Sequence, residues 1–471
     1  MKIIVFGVGR FYQNRRERLK QYEEVEIIAF SDNNETLWGG ELEGIRVIPP
    51  DAIQEAVFDC ILIMSTYADE IARQLIEGGI DEAKICFWEP FYTKMVQGER
   101  KIYKGINKKN EKDTGRNILI ISTDLNYNGG SLAAVYAARA IQDKGNHVVL
   151  AAPSGNKNFI EETINVGVTV AICSSLPYIY EKDREWVSRF EMVIVNVYQM
   201  LHSACACAAF IPTLWWLHEP LDIYRMVMEQ PWNRIEEGKL DNINIYGVSN
   251  RAKYNFSTFF PERMKKVLHY GIPDMGLGKQ DTKEKQSAVV FAIIGSVCEG
   301  KAQDVFVDAA RQLGYEGKAE FWIIGYWGQN LFCNKIREIS QRIPAIKIKG
   351  LLTRREVYRI FPQIDVVVCA SREDSLPIVM TEGMMFGKAC ITTDRTGTAD
   401  YIQNGENGFV IPAEDGEALK EKMEWAIHNR DKLETMGKKA RETYEKYFTM
   451  DVFAENLEKA ITETIERWEG V

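Results

Sequence analysis

Nowhere does the chain run to about 18 uninterrupted apolar residues, the length a helix needs to cross a bilayer. Its start, Lys2 followed by a short strand-like run, lacks the apolar core and small-residue cleavage site of a secretory signal. The expectation is a soluble, cytoplasmic protein, with attachment to the inner face of a membrane left open. The nine cysteines are an odd number and mostly sit in apolar runs such as Asp59-Cys60-Ile61-Leu62 and Val368-Cys369-Ala370. They form no disulfide framework and read as reduced core residues. Cys205-x-Cys207 has no second ligand pair nearby, whereas a closed zinc site wants four ligands. Positive charge is also short: 58 Lys and Arg against 67 Asp and Glu leave a net charge of -9, which repels a nucleic-acid backbone. No Asp-x-Asp motif occurs in a suitable loop, and only five histidines are present.

What remains is an ordinary globular balance, 46% hydrophobic and 27% charged, long enough at 471 residues for about three domains. Short apolar runs alternate with amphipathic stretches and no short-period repeat appears, the rhythm of parallel sheets in an α/β protein. Residues 1–98 carry candidate strands at 3–6, 25–30, 60–64 and 84–87. The segment Lys101 to Arg116 holds six Lys or Arg against Glu111 and Asp113, a net +4, and residues 99–116 read as a basic linker or strap. Residues 117–275 restart the pattern, with strands at 118–121, 147–150, 168–172, 192–196, 213–217 and 244–248. Residues 276–449 follow a polar stretch, Gly276 to Gln286, with strands at 289–294, 319–324, 345–348, 365–369 and 389–392. Residues 450–471 form a terminal amphipathic helix, its apolar positions Val452, Phe453, Leu457, Ile461 and Ile465 spaced by about three and four. The architecture expected is two Rossmann-like halves facing a cleft, preceded by a small Rossmann-like domain.

The richest run is Ser371-Arg372-Glu373-Asp374-Ser375-Leu376-Pro377-Ile378-Val379-Met380-Thr381-Glu382-Gly383, directly after a strand. Ligands of open α/β sheets bind at such strand ends. Ser375 is expected to cap the following helix and Pro377 to occupy its first turn, leaving free amides for a phosphate. Asp374 and Glu382, eight residues apart, would then grip hydroxyls on either side of it. By spacing alone this is also an ordinary capped helix with solvated acids.

This run resembles the donor-site signature of glycosyltransferase family 4, retaining enzymes of the GT-B fold. Glu382 matches the second glutamate of the family's pair, and the first is replaced by Asp374 unless Glu373 serves. The following elements match in order: Gly387-Lys388-Ala389-Cys390-Ile391, Thr396-Gly397-Thr398-Ala399-Asp400 and Asn404-Gly405-Glu406-Asn407-Gly408-Phe409-Val410. Upstream, the run from Gly295 and Ser296 to Lys301 resembles the family's pyrophosphate loop, with Lys301 matching its lysine and Ser296 standing where the family has arginine. Gly325 and Leu351 resemble the strand ends that hold the nucleobase. Gly129 and Gly130, between a strand and a helix, resemble the N-terminal glycine loop, and His218 of His-Glu-Pro the histidine that contacts the donor sugar. His269 is taken as structural.

The resemblance covers residues 117 to 470 and implies a metal-independent retaining glycosyltransferase with no cofactor beyond its co-substrate. The donor would be a nucleotide-diphosphate sugar of the UDP or GDP class. The acceptor would be a glycan or lipid-linked hydroxyl in bacterial surface polysaccharide or glycoconjugate synthesis. His218, Asp374 and Lys301 would be catalytic; Gly129, Gly130, Gly295, Ser296, Gly325, Leu351, Glu373, Leu376, Ile378, Val379 and Glu382 would line the donor. A silent GT-B subunit that binds nucleotide sugar or glycan for a partner enzyme is the alternative.

Outside that resemblance, Gly7 and Gly9 follow the first strand and Asp32 ends the second, as in a dinucleotide loop without its third glycine. This region looks similar to small Rossmann-like domains fused to bacterial sugar-modifying proteins. Arg10, Arg15, Arg16, Arg18 and Lys20 make its first helix basic, suited to a phosphate, an anionic membrane or plain solvent. The domain reads first as a scaffold or oligomerisation module, then as a nucleotide sensor, and last as a nicotinamide site.

Overall fold

The structure is a computed structural model that describes residues 1–22, 24–106, 115–264, 266–276, 288–313 and 317–470. Its strands fall into three sheets. The first domain holds β1 (Lys2–Phe6), β2 (Glu26–Ser31), β3 (Glu41–Leu42), β4 (Ile45–Ile48), β5 (Cys60–Ile63) and β6 (Ile85–Phe87), ordered β3-β4-β2-β1-β5-β6. All pairs are parallel except β3 with β4. The alternation of short β-branched runs with helices makes this sheet, because both faces must be covered.

The second sheet contains β7 (Lys101–Tyr103), β8 (Asn117–Ile121), β9 (His147–Ala152), β10 (Thr169–Ile172), β11 (Met192–Asn196), β12 (Thr213–Leu217), β13 (Ile243–Gly247) and β14 (Lys266–Val267), in the order β14-β13-β12-β11-β8-β9-β10-β7. Its central strands β11 and β12 are buried along their whole length. The third holds β15 (Val289–Ile294), β16 (Ala319–Ile324), β17 (Ile346–Gly350), β18 (Val366–Cys369), β19 (Ala389–Thr393) and β20 (Gly408–Ile411), ordered β17-β16-β15-β18-β19-β20 and parallel throughout. Two Rossmann-like halves and a smaller leading domain are therefore present, as expected. The polar junction at Gly276 to Gln286 lies, beyond Gly276, outside the described residues.

Three expectations change. Residues 99–116 are not simply a linker: Lys101–Tyr103 adds to the second sheet as its antiparallel edge, and Ile106 N donates to Ile164 O at 2.9 Å. Sequence missed this because the strand is short, charged and satisfied only by a partner some 70 positions away; residues 107–114 lie outside the described set. The basic first helix is two short ones, Arg10–Gln13 and Arg16–Leu19, and Arg16 and Lys20 are taken by Glu43, each at 3.0 Å. The C-terminal helix, Met450–Glu469, belongs to the half built on the second sheet, residues 117–275, the acceptor half implied by the resemblance. Phe453 stacks on Trp216 at 5.6 Å, and Thr464 Oγ accepts from Asn244 Nδ2 at 2.8 Å.

The leading domain is fastened to the acceptor half at more than the β7 strand. Asp183 is fully buried and its carboxylate accepts from Ser175 Oγ at 2.7 Å, Gly98 N at 2.9 Å and Tyr180 N at 3.2 Å. Tyr180 Oη donates to Pro90 O at 2.7 Å, and Phe87 packs on Trp232 with ring centroids 5.4 Å apart. An Asp183→Ala substitution orphans buried donors and should cost about 3 kcal/mol. It should also raise amide exchange around Gly98 in hydrogen-exchange mass spectrometry; unchanged exchange there would show that the junction does not depend on this carboxylate.

Candidate functional site

At the carboxyl ends of β15, β16 and β17 the side chains stop and glycines take over. Gly295, Gly325 and Gly350 all have positive φ (150°, 147° and 70°), a region glycine alone enters freely. Gly295 N donates to Ile324 O at 2.9 Å and Gly325 N to Gly350 O at 2.8 Å. A Cβ on Gly325 would overlap the Gly295 carbonyl oxygen. The result is a bare backbone floor flanked by two exposed apolar side chains, Tyr326 at 58% and Leu351 at 71%.

Beside this floor Lys301 leaves a short 3-10 turn, Glu299–Lys301, and its ammonium pairs with the Asp374 carboxylate. Burial works against the charge on Lys301, but Asp374 outweighs it and raises the ammonium pKa. Ser296 is exposed and its carbonyl accepts from Gln303 Nε2 at 3.1 Å, so its hydroxyl adds no cation. Asp374 lies at the mouth of the helix Ile378–Met385, capped by Pro377 without a side-chain bond. Ser375 is thus not the cap: its hydroxyl crosses the cleft to Glu219 O at 2.6 Å. Ile378 and Val379 open the helix with amides that have no intrahelical partner. Leu376 is buried, its carbonyl held by Tyr270 Oη at 2.9 Å.

Glu373 does not line the glycine floor. Its Oε1 accepts from Leu221 N at 3.2 Å and pairs with Arg251 at 3.4 Å, so it fastens the acceptor half and leaves Asp374 as the acid facing Lys301. Glu382 is 5% exposed and pairs with Arg354, while Tyr358 Oη donates to it at 2.9 Å. Arg354 and Tyr358 were not singled out from sequence; the only signal was their position just after Gly350-Leu351-Leu352.

The acceptor half supplies the opposite wall. Gly129 and Gly130 begin the helix Gly129–Asp143, capped by Asn128 Oδ1 accepting from Ser131 N at 2.8 Å. A Cβ on Gly129 would sit 3.7 Å from Ile378, which places the glycine loop against the start of the Asp374 helix. His218 follows β12, its ring edge-on to Trp216 at 4.3 Å, and its Nε2 is buried without a hydrogen-bond partner. Burial lowers the His218 pKa to about 3. Its neighbour Glu219, pushed up to about 7 by burial, accepts from Tyr198 N and His218 N at 2.8 and 2.9 Å. His269 meets the Tyr401 hydroxyl and lies edge-on to the Phe448 ring at 6.0 Å.

In the leading domain Gly7 has φ 95° and Gly9 precedes the first helix. Asp32 spends both oxygens on backbone amides, Oδ2 on Val8 N at 3.0 Å and Oδ1 on Asn34 N at 2.9 Å, a loop-fastening role rather than a free ribose acceptor. Cys205 and Cys207 lie in the helix Leu201–Cys207, and among the described residues no group of three or more His, Cys, Asp or Glu gathers as a metal set. No helix of the described residues is long and apolar enough to cross a membrane.

Comparison with known proteins covers the half built on the third sheet and the leading domain. Residues 278–443 match the family described as glycosyl transferases group 1. This part of the chain is similar to the group 1 glycosyl transferases. Residues 1–86 match the C2185-like N-terminal family. The capsular polysaccharide biosynthesis glycosyltransferase CapM of Staphylococcus aureus is 29% identical over 110 residues, 23% of this chain and 29% of that protein. The O-antigen chain mannosyltransferase C of Escherichia coli is 28% identical over 165 residues, 34% of this chain and 43% of that protein. The chain spans between about a quarter and a half of the length of the first curated relatives it matches.

Solved GT-B structures cover more. Anabaena Alr3699/HepE in complex with UDP and glucose superposes with a TM-score of 0.61 at 13% identity, over 74% of this chain and 100% of that one. Sucrose-phosphate synthase from Thermosynechococcus elongatus gives 0.61 at 13%, over 74% and 99%. The chain thus has the GT-B fold, with the small α/β domain added in front.

Because burial holds His218 neutral, its ring should show no protonation above about pH 5 when followed by NMR. The sign for stability follows. The unfolded histidine takes a proton near pH 6.5 that the folded one refuses until about 3, so this residue's contribution is complete above 6.5 and falls as the pH drops. A ring titrating near 6.5 in the folded protein would contradict the buried, unpartnered placement.

Proposed function

We propose that the protein is a retaining glycosyltransferase that moves a sugar from a nucleotide-diphosphate sugar to an acceptor hydroxyl in surface polysaccharide or glycoconjugate synthesis. The observation that carries this reading is the Lys301–Asp374 pair set between a glycine floor and the free amides of a helix start. That combination suits a pyrophosphate on one side and sugar hydroxyls on the other. The relatives' roles in capsular polysaccharide and O-antigen synthesis support the pathway class. The UDP and glucose named with the Anabaena structure support a nucleotide-sugar donor of the UDP or GDP class.

In this reading Lys301 and the amides of Ile378 and Val379 take the charge of the leaving nucleoside diphosphate, so no metal ion and no cofactor are needed. Asp374 binds sugar hydroxyls, Glu382 the ribose, and the unpartnered Nε2 of His218 a group near the reacting carbon. Gly129 and Gly130 let the acceptor half approach the sugar. Tyr326 and Leu351 flank the base. The bond from the anomeric carbon to the phosphate oxygen breaks, and the acceptor oxygen bonds to the same face of that carbon. The acceptor's proton leaves on the departing phosphate. Contact between the halves excludes water that would otherwise hydrolyse the donor.

Lys301→Ala and Glu382→Ala should each lower sugar transfer by about a hundredfold or more with the thermal transition retained, and EDTA should leave turnover unchanged. The check is a transfer assay with UDP- and GDP-sugars on a lipid-linked acceptor pool. Undiminished turnover in both variants would remove the site assignment, and loss of activity with EDTA would remove metal independence.

A further inference from the structure

Glu382 is the only carboxylate of the helix Ile378–Met385, and its two oxygens are used unequally. Oε1 accepts from Arg354 Nη2 and from Tyr358 Oη. Oε2 takes no hydrogen bond among the described residues, and it is not among the buried polar atoms left without a partner. One oxygen is therefore clamped and the other is open.

The clamp has a geometry that only arginine provides. The planar guanidinium spends Nε on the Tyr358 oxygen at 2.7 Å and Nη2 on Glu382 Oε1, two donors of one rigid fork. Arg354 is the first residue of the helix Arg354–Ile360, whose cap Thr353 and Glu356 form a reciprocal capping box. The backbone that carries the fork is thereby fixed. Tyr136, from the glycine-loop helix of the acceptor half, lies against the same clamp within reach of the Tyr358 hydroxyl. A carboxylate side chain only 7% exposed keeps its charge at low cost when a cation is bonded to it.

We propose that Arg354 is a positioning residue that selects ribonucleotide donors: with Tyr358 it fixes one oxygen of Glu382 and leaves the other to accept the vicinal hydroxyls of the ribose. This rests on the donor site described under Proposed function. Arg354 acts through Glu382 and need not touch the donor. The clamp also accounts for a cation at this point of the cleft that Lys301, on a different loop and paired to Asp374, does not supply.

The test is calorimetric titration of the full-length chain with UDP, 2′-deoxy-UDP, GDP and 2′-deoxy-GDP, with thermal unfolding run on every variant. The wild type should prefer the ribonucleotide over its deoxy form by about tenfold or more, as a hydrogen bond to a charged group warrants. In Arg354→Gln that preference should shrink to within about threefold, and Arg354→Lys, which restores the charge without the fork, should recover part of it. Lys301→Ala should weaken both forms alike and keep their ratio. A folded Arg354→Gln with the wild-type ratio overturns the proposal. An equal loss for both forms also overturns it, since Arg354 would then be a phosphate contact. Should Arg354→Gln not fold, Tyr358→Phe removes the second bond to the same oxygen, and an unchanged ratio there overturns the proposal as well. Wild-type protein that binds ribo and deoxy forms equally sinks this inference alone, whereas wild type that binds neither UDP nor GDP sinks the donor site and this inference with it.

Discussion

Three residues of one loop, Glu373, Ser375 and Leu376, hold the two large halves of this protein against each other. Glu373 reaches Leu221 N and Arg251, Ser375 donates to Glu219 O, and Ser249 and Tyr270 donate to the carbonyls of Ser375 and Leu376. A loop with its neighbours committed in this way has little freedom left, and what remains goes to Asp374. Its backbone amide is itself fixed by Arg395 O at 3.1 Å, and its carboxylate faces Lys301. The site is accurate because the loop that carries it is also the seam between the halves.

The three acids of this region show how environment divides labour among similar groups. Each has a cation from a different part of the fold: Glu373 has Arg251 from across the seam, Asp374 has Lys301 from the loop after β15, and Glu382 has Arg354 from the helix after β17. Before any ligand arrives the charges are matched pair by pair, which limits the desolvation cost of gathering them in one cleft. In the proposed reaction an incoming pyrophosphate exchanges with Asp374 at Lys301, freeing that carboxylate for sugar hydroxyls. One salt bridge is broken at the moment two polar contacts form.

Much of this was legible in the chain. Runs such as Val289 to Ile294 and Met192 to Asn196 announce buried parallel strands by their unbroken apolar character, and the Asp374 to Glu382 segment announces a strand-to-helix loop because it follows one. Less visible was anything decided by a distant partner. Lys101–Tyr103 looks like a charged strap until β10 is beside it. Glu373 and Asp374 are adjacent acids with equal claims until Arg251 takes one of them. Arg354 is one surface-type arginine among many until Glu382 is seen against it. Ser375 looks like a helix cap by local chemistry, and a carbonyl 156 positions away outbids that local preference.

The return of the C-terminal helix to the acceptor half means that the chain passes between the halves twice, and the two passages lie side by side. Ile272 N donates to Phe448 O at 2.9 Å, and Ile272 bridges Thr449 in parallel fashion. A single tether would let one half swivel on the other in any direction. Two tethers, tied to each other, work as the spine of a book. Swivelling about a single strand of chain is thereby denied to the halves, and the leading domain, joined through β7 to the second sheet, is part of the same cover.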